Sequence, residues 1–286
     1  MNRSIIITGC DSAHYALASE LLASIRDRCG ESVKVGFINV GDTTPPFEIL
    51  SAADHVVNVP DDEFHRGARR GFRLAYLQVK PRMPEFFPGY ETYIWLDGDT
   101  WVQNPAGLEQ LVHCAGLADV CVHPERDVNY LGPDNPRLYL HHVYSALYGT
   151  EEADRYSPFP SYNSGVFAAR ESSPLWRMWT AALAEVRRRL GERSDVHFSD
   201  QIPLHRLIVS GMVSVCPLRA VNNWQVLLAP PAVNLERKLL LAPSYPFEEI
   251  NILHLVGAAK SNRYELGGGG QAITFRYGDI KALFAR

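Results

Sequence analysis

The sequence predicts an α/β fold with a mostly parallel central sheet flanked by helices. Short apolar runs rich in β-branched residues cover residues 4–8, 33–40, 54–59 and 92–96, and each predicts a buried strand. Residues 16–28 carry leucines and an isoleucine at helical spacing, with charged residues off that face. Strands that alternate with helices of about a dozen residues indicate βαβ units, which build parallel sheets.

The second half of the chain is less regular. Its predicted strands cover residues 119–122, 165–169, 213–216 and 250–255, and its predicted helices cover residues 174–190 and 200–210. The segment 130–160 is rich in proline, tyrosine and histidine, contains a turn-like Pro133-Asp134-Asn135-Pro136 stretch, and is given no helix. The glycine run 267–270 predicts a loop. With no internal repeat and no strong linker, we expect one domain over residues 1–286.

Composition excludes several classes of function. Hydrophobic residues make up 46% of the 286 residues, charged residues make up 21%, and the net charge is −4, so no basic field favours nucleic acid. The five cysteines form no Cys-x-x-Cys pair, which argues against both a zinc site and a disulfide framework. The apolar run at the N-terminus is too short for a signal peptide and no later stretch could span a bilayer, so we expect a cytoplasmic protein.

Two carboxylates follow the strand predicted at 92–96. In Asp97-Gly98-Asp99 they are separated by a glycine that lets the backbone bend and a ligand approach closely. If the backbone stays extended, both side chains project to the same side and can hold Mg²⁺ or Mn²⁺. The alternative is a turn that merely ends the strand, because Asp and Gly are common turn residues.

Three further segments carry polar groups at predicted element ends. His254 lies in a late strand, with Gly257 and Lys260 at fixed offsets, and could supply a metal ligand and a cation for a diphosphate. Residues 161–167 place amides and hydroxyls before a buried strand, and Asp200-Gln201 begins a helix. The alternatives are a core histidine with a surface lysine, a turn, and a helix N-cap.

The order of these motifs resembles glycosyltransferase family eight. This family contains the glycogenin-like enzymes and the bacterial lipopolysaccharide galactosyl- and glucosyltransferases, and it has the GT-A fold. The motifs that carry the resemblance are Asp97-Gly98-Asp99, Tyr162-Asn163-Ser164-Gly165-Val166-Phe167, Asp200-Gln201 and His254-x-x-Gly257-x-x-Lys260. The resemblance implies a Rossmann-like sheet, a nucleotide-binding half over residues 1–104, and an acceptor half over residues 105–286 that ends in a metal and diphosphate loop. These two halves would form a donor lobe and an acceptor lobe of one domain.

The resemblance also implies roles for individual residues. The Mn²⁺ (or Mg²⁺) ligands would be Asp97, Asp99 and His254. The residues that bind the nucleotide sugar would be Thr8, Asp11, Tyr15, Lys80, Gly98, Gly257 and Lys260. The catalytic residues around the donor sugar and its anomeric carbon would be Asn163, Asp200 and Gln201. Within these sets, Tyr15 would stack on uracil, Lys80 would reach the donor sugar or diphosphate, and Gly257 with Lys260 would contact the pyrophosphate.

The implied activity is a metal-dependent, retaining transfer of a hexose from a nucleotide sugar to a hydroxyl acceptor. UDP-glucose and UDP-galactose are the expected donors, a glycan or other hydroxyl compound is the expected acceptor, and both homo-oligomer formation and peripheral membrane contact are compatible with the sequence. The chain departs from the family pattern at Gly98, where alanine is frequent, at His205, where asparagine is common, and at Ser261-Asn262, where Pro-Trp is usual.

Two other functions remain open from the sequence. One is a catalytically silent GT-A-like domain that binds or scaffolds. The other is a nucleotidyltransferase that makes a nucleotide sugar, which the chain disfavours because Gly9-Cys10-Asp11-Ser12 lacks a glycine-rich signature with a following basic residue.

Overall fold

A seven-stranded sheet organises the protein, whose computed structural model describes residues 3–41, 43–59, 78–130, 136–190, 199–266 and 271–286. The strand order is β3-β2-β1-β4-β7-β6-β8. The bounds are β1 Ser4–Cys10, β2 Lys34–Val40, β3 His55–Val59, β4 Thr92–Leu96, β6 Val120–Pro124, β7 Tyr162–Arg170 and β8 Val215–Pro217. Strands β1 to β4 are mutually parallel, so the predicted α/β sheet is confirmed.

Strand β7 runs against its neighbours on both sides, because it pairs antiparallel with β4 and with β6. The start of β7 therefore lies at the same sheet edge as the end of β4. Residues from the beginning of one strand and the end of another can meet there, which places polar residues near Asn163 beside those that follow Leu96.

A second sheet of three strands lies beside this edge. It contains β5 (Thr100–Val102), β9 (Trp224–Gln225) and β12 (Ile252–His254), with β12 in the middle. Strand β12 is antiparallel to β5, with His254 opposite Thr100, and parallel to β9. Two further antiparallel pairs lie among the described residues, β10 (Ala232–Asn234) with β11 (Leu239–Leu241) and β13 (Tyr264–Leu266) with β14 (Gln271–Ile273).

Helices cover both faces of the large sheet. Along β1, the side chains of Ile5 and Ile7 join one apolar core and that of Ile6 joins another, as the alternation of a strand requires. The helices among the described residues are α1 Tyr15–Cys29, α2 Phe47–Ala52, α3 Met83–Phe86, α4 Ala106–Ala115, α5 Pro136–Tyr148, α6 Thr150–Tyr156, α7 Leu175–Leu190, α8 Gln201–Val209 and α9 Tyr277–Phe284. Helices α1 and α4 pack into the core of Ile6, whereas α5, α7 and α8 pack into the other.

The predicted strands and helices are all present, with ends that differ by a few residues. The segment 130–160, for which the sequence predicts no helix, contains α5 and α6. Leu140, Val143, Tyr144 and Leu147 are buried on one side of α5, at a spacing typical of an amphipathic helix. Aromatic residues and the preceding prolines obscured that pattern. The predicted turn at 133–136 lies mostly outside the described residues, and the predicted loop at 267–270 lies wholly outside them.

No helix among the described residues is both long enough and apolar enough to cross a bilayer.

Candidate functional site

Asp97 and Asp99 lie in a tight turn that leaves the end of β4. The amide of Thr100 donates to the carbonyl of Asp97 at 2.9 Å, and the Thr100 hydroxyl donates to the same carbonyl at 2.8 Å. The backbone is therefore not extended through this motif, contrary to the geometry assumed from the sequence. A turn and a cation site are therefore not alternatives here, because the turn itself brings the two carboxylates together.

His254, at the end of β12, meets the two carboxylates. Its Nε2 lies 3.2 Å from Asp99 Oδ1 and 3.9 Å from Asp97 Oδ2. One ligand atom from each of the three residues lies within 4.8 Å of the others, and this is the one such group of acidic, histidine or cysteine side chains in the described part of the chain. The pairing of β12 with β5 holds this arrangement, because the amide of Leu255 also donates to the carbonyl of Asp99 at 2.8 Å.

The donor set suits a divalent cation. Two carboxylates and an imidazole nitrogen match the ligand preferences of Mn²⁺, and the carboxylates also suit Mg²⁺. Burial would raise the pKa of Asp99, but His254 and Lys260 together outweigh it and lower that pKa, which keeps the carboxylate ionised. Residues Asp97, Asp99 and His254 are thus the ones that would hold the metal.

Gly165 makes room for this cluster. A Cβ atom at this position would lie 2.2 Å from His254 Cε1 and 2.9 Å from Asp97 Oδ2, so no other residue fits without moving the ligands. Gly98 is different, because a Cβ there would meet the Cβ of Ala18 at 3.5 Å, an ordinary contact. Position 98 can therefore accommodate either glycine, as here, or the alanine that is frequent in the family it resembles.

Lys260 reaches the cluster from the short helical turn Gly257–Lys260. Its Nζ lies 2.7 Å from Asp99 Oδ2, and its side chain remains one-third exposed. Gly257 has φ +57°, a left-handed conformation that glycine adopts readily. At Ser261-Asn262, where the chain departs from the family pattern, both residues donate their amides to the carbonyl of Ala258, at 3.1 and 3.0 Å, and so end the turn.

Lys80 is buried between two carboxylates. Its Nζ lies 3.0 Å from Asp97 Oδ1 and 2.9 Å from Asp200 Oδ2, and it donates to the Ser164 carbonyl at 3.1 Å. Burial disfavours the charged amine, but Asp200 and Asp97 together outweigh burial and raise the pKa of Lys80. Burial raises the pKa of Asp200, and Asp97 acts in the same direction against the opposing effect of Lys80.

Asp200 does not cap α8 with its side chain. The Ser199 hydroxyl accepts the Gln201 amide at 3.1 Å instead, and Asp200 Oδ2 accepts from the Ser164 hydroxyl at 3.2 Å. Gln201 donates from Nε2 to the Ser161 hydroxyl at 2.7 Å. The predicted polar segment at the start of β7 and the predicted acidic helix start therefore meet, and Lys80 joins them to the cation cluster.

Three predicted nucleotide-binding residues lie at the end of β1, the strand next to β4. Thr8 is fully buried, and its hydroxyl has no hydrogen-bond partner among the described residues. Asp11 accepts the Ala13 amide at 3.0 Å. Tyr15 is half-buried and donates to Asn39 Oδ1 at 2.6 Å and to the Thr43 carbonyl at 2.8 Å. Because β1 and β4 are parallel, these residues lie at the sheet edge of the cation cluster.

Sequence reasoning missed a set of polar side chains that support the site. Asn223 Oδ1 lies 2.9 Å from His254 Nδ1, and Asn223 Nδ2 donates to Asn163 Oδ1 at 3.0 Å. Asn163 Nδ2 donates to Glu125 Oε1 at 2.9 Å, and the indole of Trp95 donates to Asp97 Oδ1 at 2.7 Å. In the sequence, Asn223 is marked only by its place in Asn222-Asn223-Trp224, and this short stretch has no periodic pattern that predicts a role in the site.

Comparison of the chain with known proteins gives matches to solved structures only, since no protein-family model and no curated protein matches it. The galactosyltransferase LgtC, in complex with donor and acceptor sugar analogues, superposes with a TM-score of 0.62 at 12% identity, over 98% of this chain and 95% of LgtC. An active-site mutant of LgtC gives 0.59 at 11% identity over the same shares of both chains. Mouse xyloside xylosyltransferase 1, in its apo form, gives 0.54 at 14% identity, over 88% of this chain and 97% of that protein.

These likenesses extend over nearly the full length of both partners, so they concern the whole architecture and not one βαβ unit. At such low identities they establish the fold and leave the activity to the chemistry of the site. The fold implied by the four sequence motifs is confirmed: this chain has the GT-A fold, the fold of the family-eight glycosyltransferases that it resembles.

Proposed function

We propose that this protein is a metal-dependent, retaining glycosyltransferase. It transfers a hexose from a nucleotide sugar, UDP-glucose or UDP-galactose, to a hydroxyl group of a glycan or another acceptor. The observation that carries the proposal is the convergence of Asp97, Asp99 and His254, with Lys260 at 2.7 Å from Asp99, at the carboxyl edge of a GT-A sheet. Ligands of open α/β sheets bind at this edge.

The proposed roles follow from charge and position. A bound divalent cation would supply positive charge beside the diphosphate oxygens, which lowers the energy of the departing nucleoside diphosphate. Lys260 would exchange its contact with Asp99 for the diphosphate, because its partly exposed ammonium is free to turn toward an anion. Tyr15, Thr8 and Asp11 would bind the nucleoside at the end of β1, and Lys80 would hold Asp97 and Asp200 at the donor sugar.

Asp200, Gln201 and Asn163 are the proposed catalytic residues around the anomeric carbon. The acceptor hydroxyl would attack on the face from which the diphosphate leaves, with a phosphate oxygen as the base, and this front-face path retains configuration. Gln201 and Asp200 would stabilise the positive charge that develops on the sugar ring. Near-normal turnover by both Asp200→Asn and Gln201→Ala would remove these two residues from the mechanism.

A panel of nucleotide sugars, each with and without MnCl₂, tests the proposed function. We expect nucleoside diphosphate release from a UDP-hexose only when metal is present, and an α-linked product from an α-linked donor by NMR. Asp99→Asn should strongly reduce release because it removes the negative charge of a metal ligand, whereas Asp154→Asn, on an exposed surface, should not change it. The absence of release from every donor, together with no metal-dependent thermal shift by UDP, would sink the proposal.

The same panel separates the two alternatives. A thermal shift by UDP and Mn²⁺ with no consumption of any donor is the outcome expected for a silent binding domain. Release of inorganic pyrophosphate from a nucleoside triphosphate and a sugar phosphate is the outcome expected for a nucleotidyltransferase. The intact cluster of Asp97, Asp99 and His254 favours the transferase over a silent domain.

A further inference from the structure

A continuous series of hydrogen bonds leads from the candidate metal ligand His254 to Glu125 at the end of β6. His254 Nδ1 lies 2.9 Å from Asn223 Oδ1. Asn223 Nδ2 donates to Asn163 Oδ1 at 3.0 Å, and Asn163 Nδ2 donates to Glu125 Oε1 at 2.9 Å. Gln225 adds a second donor to the same Glu125 oxygen at 3.2 Å.

One backbone amide sets the direction of the series. The N–H of Gly165 lies 2.9 Å from the Asn163 side chain, and a backbone N–H can only donate, so the atom it meets is the Asn163 oxygen. The other end of the Asn163 amide is then its NH₂ group, which meets the carboxylate of Glu125, a group that accepts. The orientation of Asn163 is therefore fixed from both ends.

The direction passes on to His254. Because the Asn163 oxygen can only accept a hydrogen bond, Asn223 must direct its NH₂ group to it. The Asn223 oxygen then faces His254 Nδ1. An amide oxygen only accepts, so the hydrogen lies on Nδ1. The atom that faces Asp97 and Asp99 is Nε2, at 3.9 and 3.2 Å.

Burial makes the series costly to break. Asn223 is 0%, His254 3% and Asn163 5% exposed, so bulk water does not replace a lost partner at these positions. A buried polar atom left without a partner loses its hydrogen-bond energy without compensation. Of the possible orientations of the two amides and the imidazole, one satisfies all of these contacts.

We propose that Asn223 is a positioning residue for the metal centre. It holds the Nδ1–H form of His254 and so presents the Nε2 lone pair to the divalent cation, and Asn163 in turn holds Asn223. The inference rests on the metal dependence in the proposed function. By this inference, Asn163 influences the affinity for the metal even when no sugar is bound, in addition to its proposed role near the donor sugar.

Mn²⁺ binding to the full chain, with and without UDP, tests the inference. Asn223→Leu keeps the approximate volume but removes the acceptor, and we expect Mn²⁺ affinity to fall by roughly 10- to 100-fold, as for other groups that orient metal-bound histidines. Asn222→Leu is the matched control, because Asn222 is equally buried but its side chain pairs with Asn251 and Gln110. We expect the control to bind Mn²⁺ like the wild type.

A spectroscopic readout separates positioning from general destabilisation. At saturating Mn²⁺, the electron spin-echo signal of the wild type and of Asn222→Leu should carry modulation from an imidazole nitrogen, whereas Asn223→Leu should lose it. Asn163→Ala serves if Asn223→Leu does not fold, and it should weaken Mn²⁺ binding in the absence of UDP. Where all variants fold, the Asn163→Ala/Asn223→Leu double variant should bind like Asn223→Leu alone, since the two residues act in series.

The outcomes distinguish this inference from the proposed function. Wild-type binding that is unchanged in Asn223→Leu and in Asn163→Ala, with the nitrogen modulation retained, overturns the inference and leaves the proposed function standing. Absence of Mn²⁺ binding by the wild type, with and without UDP, overturns the metal centre itself and the inference with it.

Discussion

Lys80 Nζ lies 2.9 Å from Asp200 Oδ2, and this contact joins two parts of the site that come from different elements. Lys80 begins the turn Lys80–Arg82, whereas Asp200 precedes α8. The same ammonium lies 3.0 Å from Asp97, so one buried cation holds a candidate metal ligand and a candidate catalytic carboxylate in fixed positions. The backbone of Asp200 is also fixed, because the indole N–H of Trp179 donates to its backbone carbonyl at 3.0 Å.

Replacement of Lys80 by methionine is expected to destabilise the fold. Asp97 and Asp200 would keep their burial and lose a shared cation, and breaking a buried ion pair by removal of one partner costs about 3 kcal/mol or more. The free energy of unfolding in urea is the measurement. Lys34→Met is the control, since the exposed Lys34 pairs with Asp54, which Arg26 also holds, so its loss should cost much less. Equal stabilities of the two variants would contradict this account of Lys80.

The two glycines of the site should respond oppositely to alanine. Gly165→Ala places a methyl group 2.2 Å from His254 Cε1, so His254 or Asp97 must move and Mn²⁺ binding should be lost. Gly98→Ala places its methyl group at 3.5 Å from Ala18, so binding should be retained. The thermal shift produced by MnCl₂ with UDP measures both. A full shift in Gly165→Ala would show that the ligands tolerate displacement.

Tyr15 has two separable parts, a ring and a hydroxyl. If the ring stacks on uracil, Tyr15→Ala should weaken UDP binding by about 1–3 kcal/mol, the range measured for base stacking on aromatic residues. Tyr15→Phe keeps the ring and removes the hydrogen bonds to Asn39 and Thr43, so its UDP affinity should stay closer to that of the wild type. Calorimetry with UDP in the presence of Mn²⁺ tests this order. Equal losses in the two variants would assign the effect to the hydroxyl and its partners.

His205 should make stability depend on pH. Burial lowers its pKa from 6.5 to about 4, against the effect of the nearby backbone carbonyls of Pro160 and Phe159, and the Tyr144 hydroxyl lies 2.6 Å from its Nδ1. Between about pH 6.5 and pH 4, His205 is therefore mostly neutral in the folded state and mostly protonated in the unfolded state. Stability from this group is present above the unfolded pKa and is lost as pH falls from about 6.5 toward about 4.

The variant His205→Asn isolates that contribution. Between pH 7 and pH 5 the titration of His205 should remove about 2 kcal/mol from the wild type, and the variant should lack this part of the slope. Urea unfolding at both pH values gives the comparison. Parallel pH dependences in the two proteins would mean that folding does not lower the pKa of His205, whatever the variant does to stability at pH 7.

The sequence was sufficient for the sheet and for the main carboxylates. Alternating apolar residues and β-branched runs located β1 to β4, and the end of β4 pointed directly to Asp97 and Asp99. Whether their turn could hold a cation depended on His254, which its place in a late strand made a candidate ligand and which the resemblance of ordered motifs then joined to the two aspartates. No local pattern states that β12 lies beside β5, because strand pairing between distant segments is a property of the folded chain.

Contacts set by tertiary structure could not be predicted. Asn223 and Glu125 do not belong to a periodic sequence pattern. They become hydrogen-bond partners of the site only when β6, β7 and β9 are assembled. Asp200 was expected to be able to cap α8, a local role, whereas its burial between Lys80 and Ser164 depends on distant parts of the chain. The helix α5 is a different case, since its apolar spacing was present in the sequence and was obscured by composition.

The place of β12 between β5 and β9 has a consequence for the order of events during synthesis. The carboxylates of Asp97 and Asp99 leave the ribosome long before His254 and Lys260, so the nascent chain carries an acidic turn without its later partners. Lys80 is made earlier still and neutralises Asp97 in the folded protein. A divalent ion bound as proposed would find all three ligands only after the C-terminal segment has docked, and it would then stabilise the finished protein.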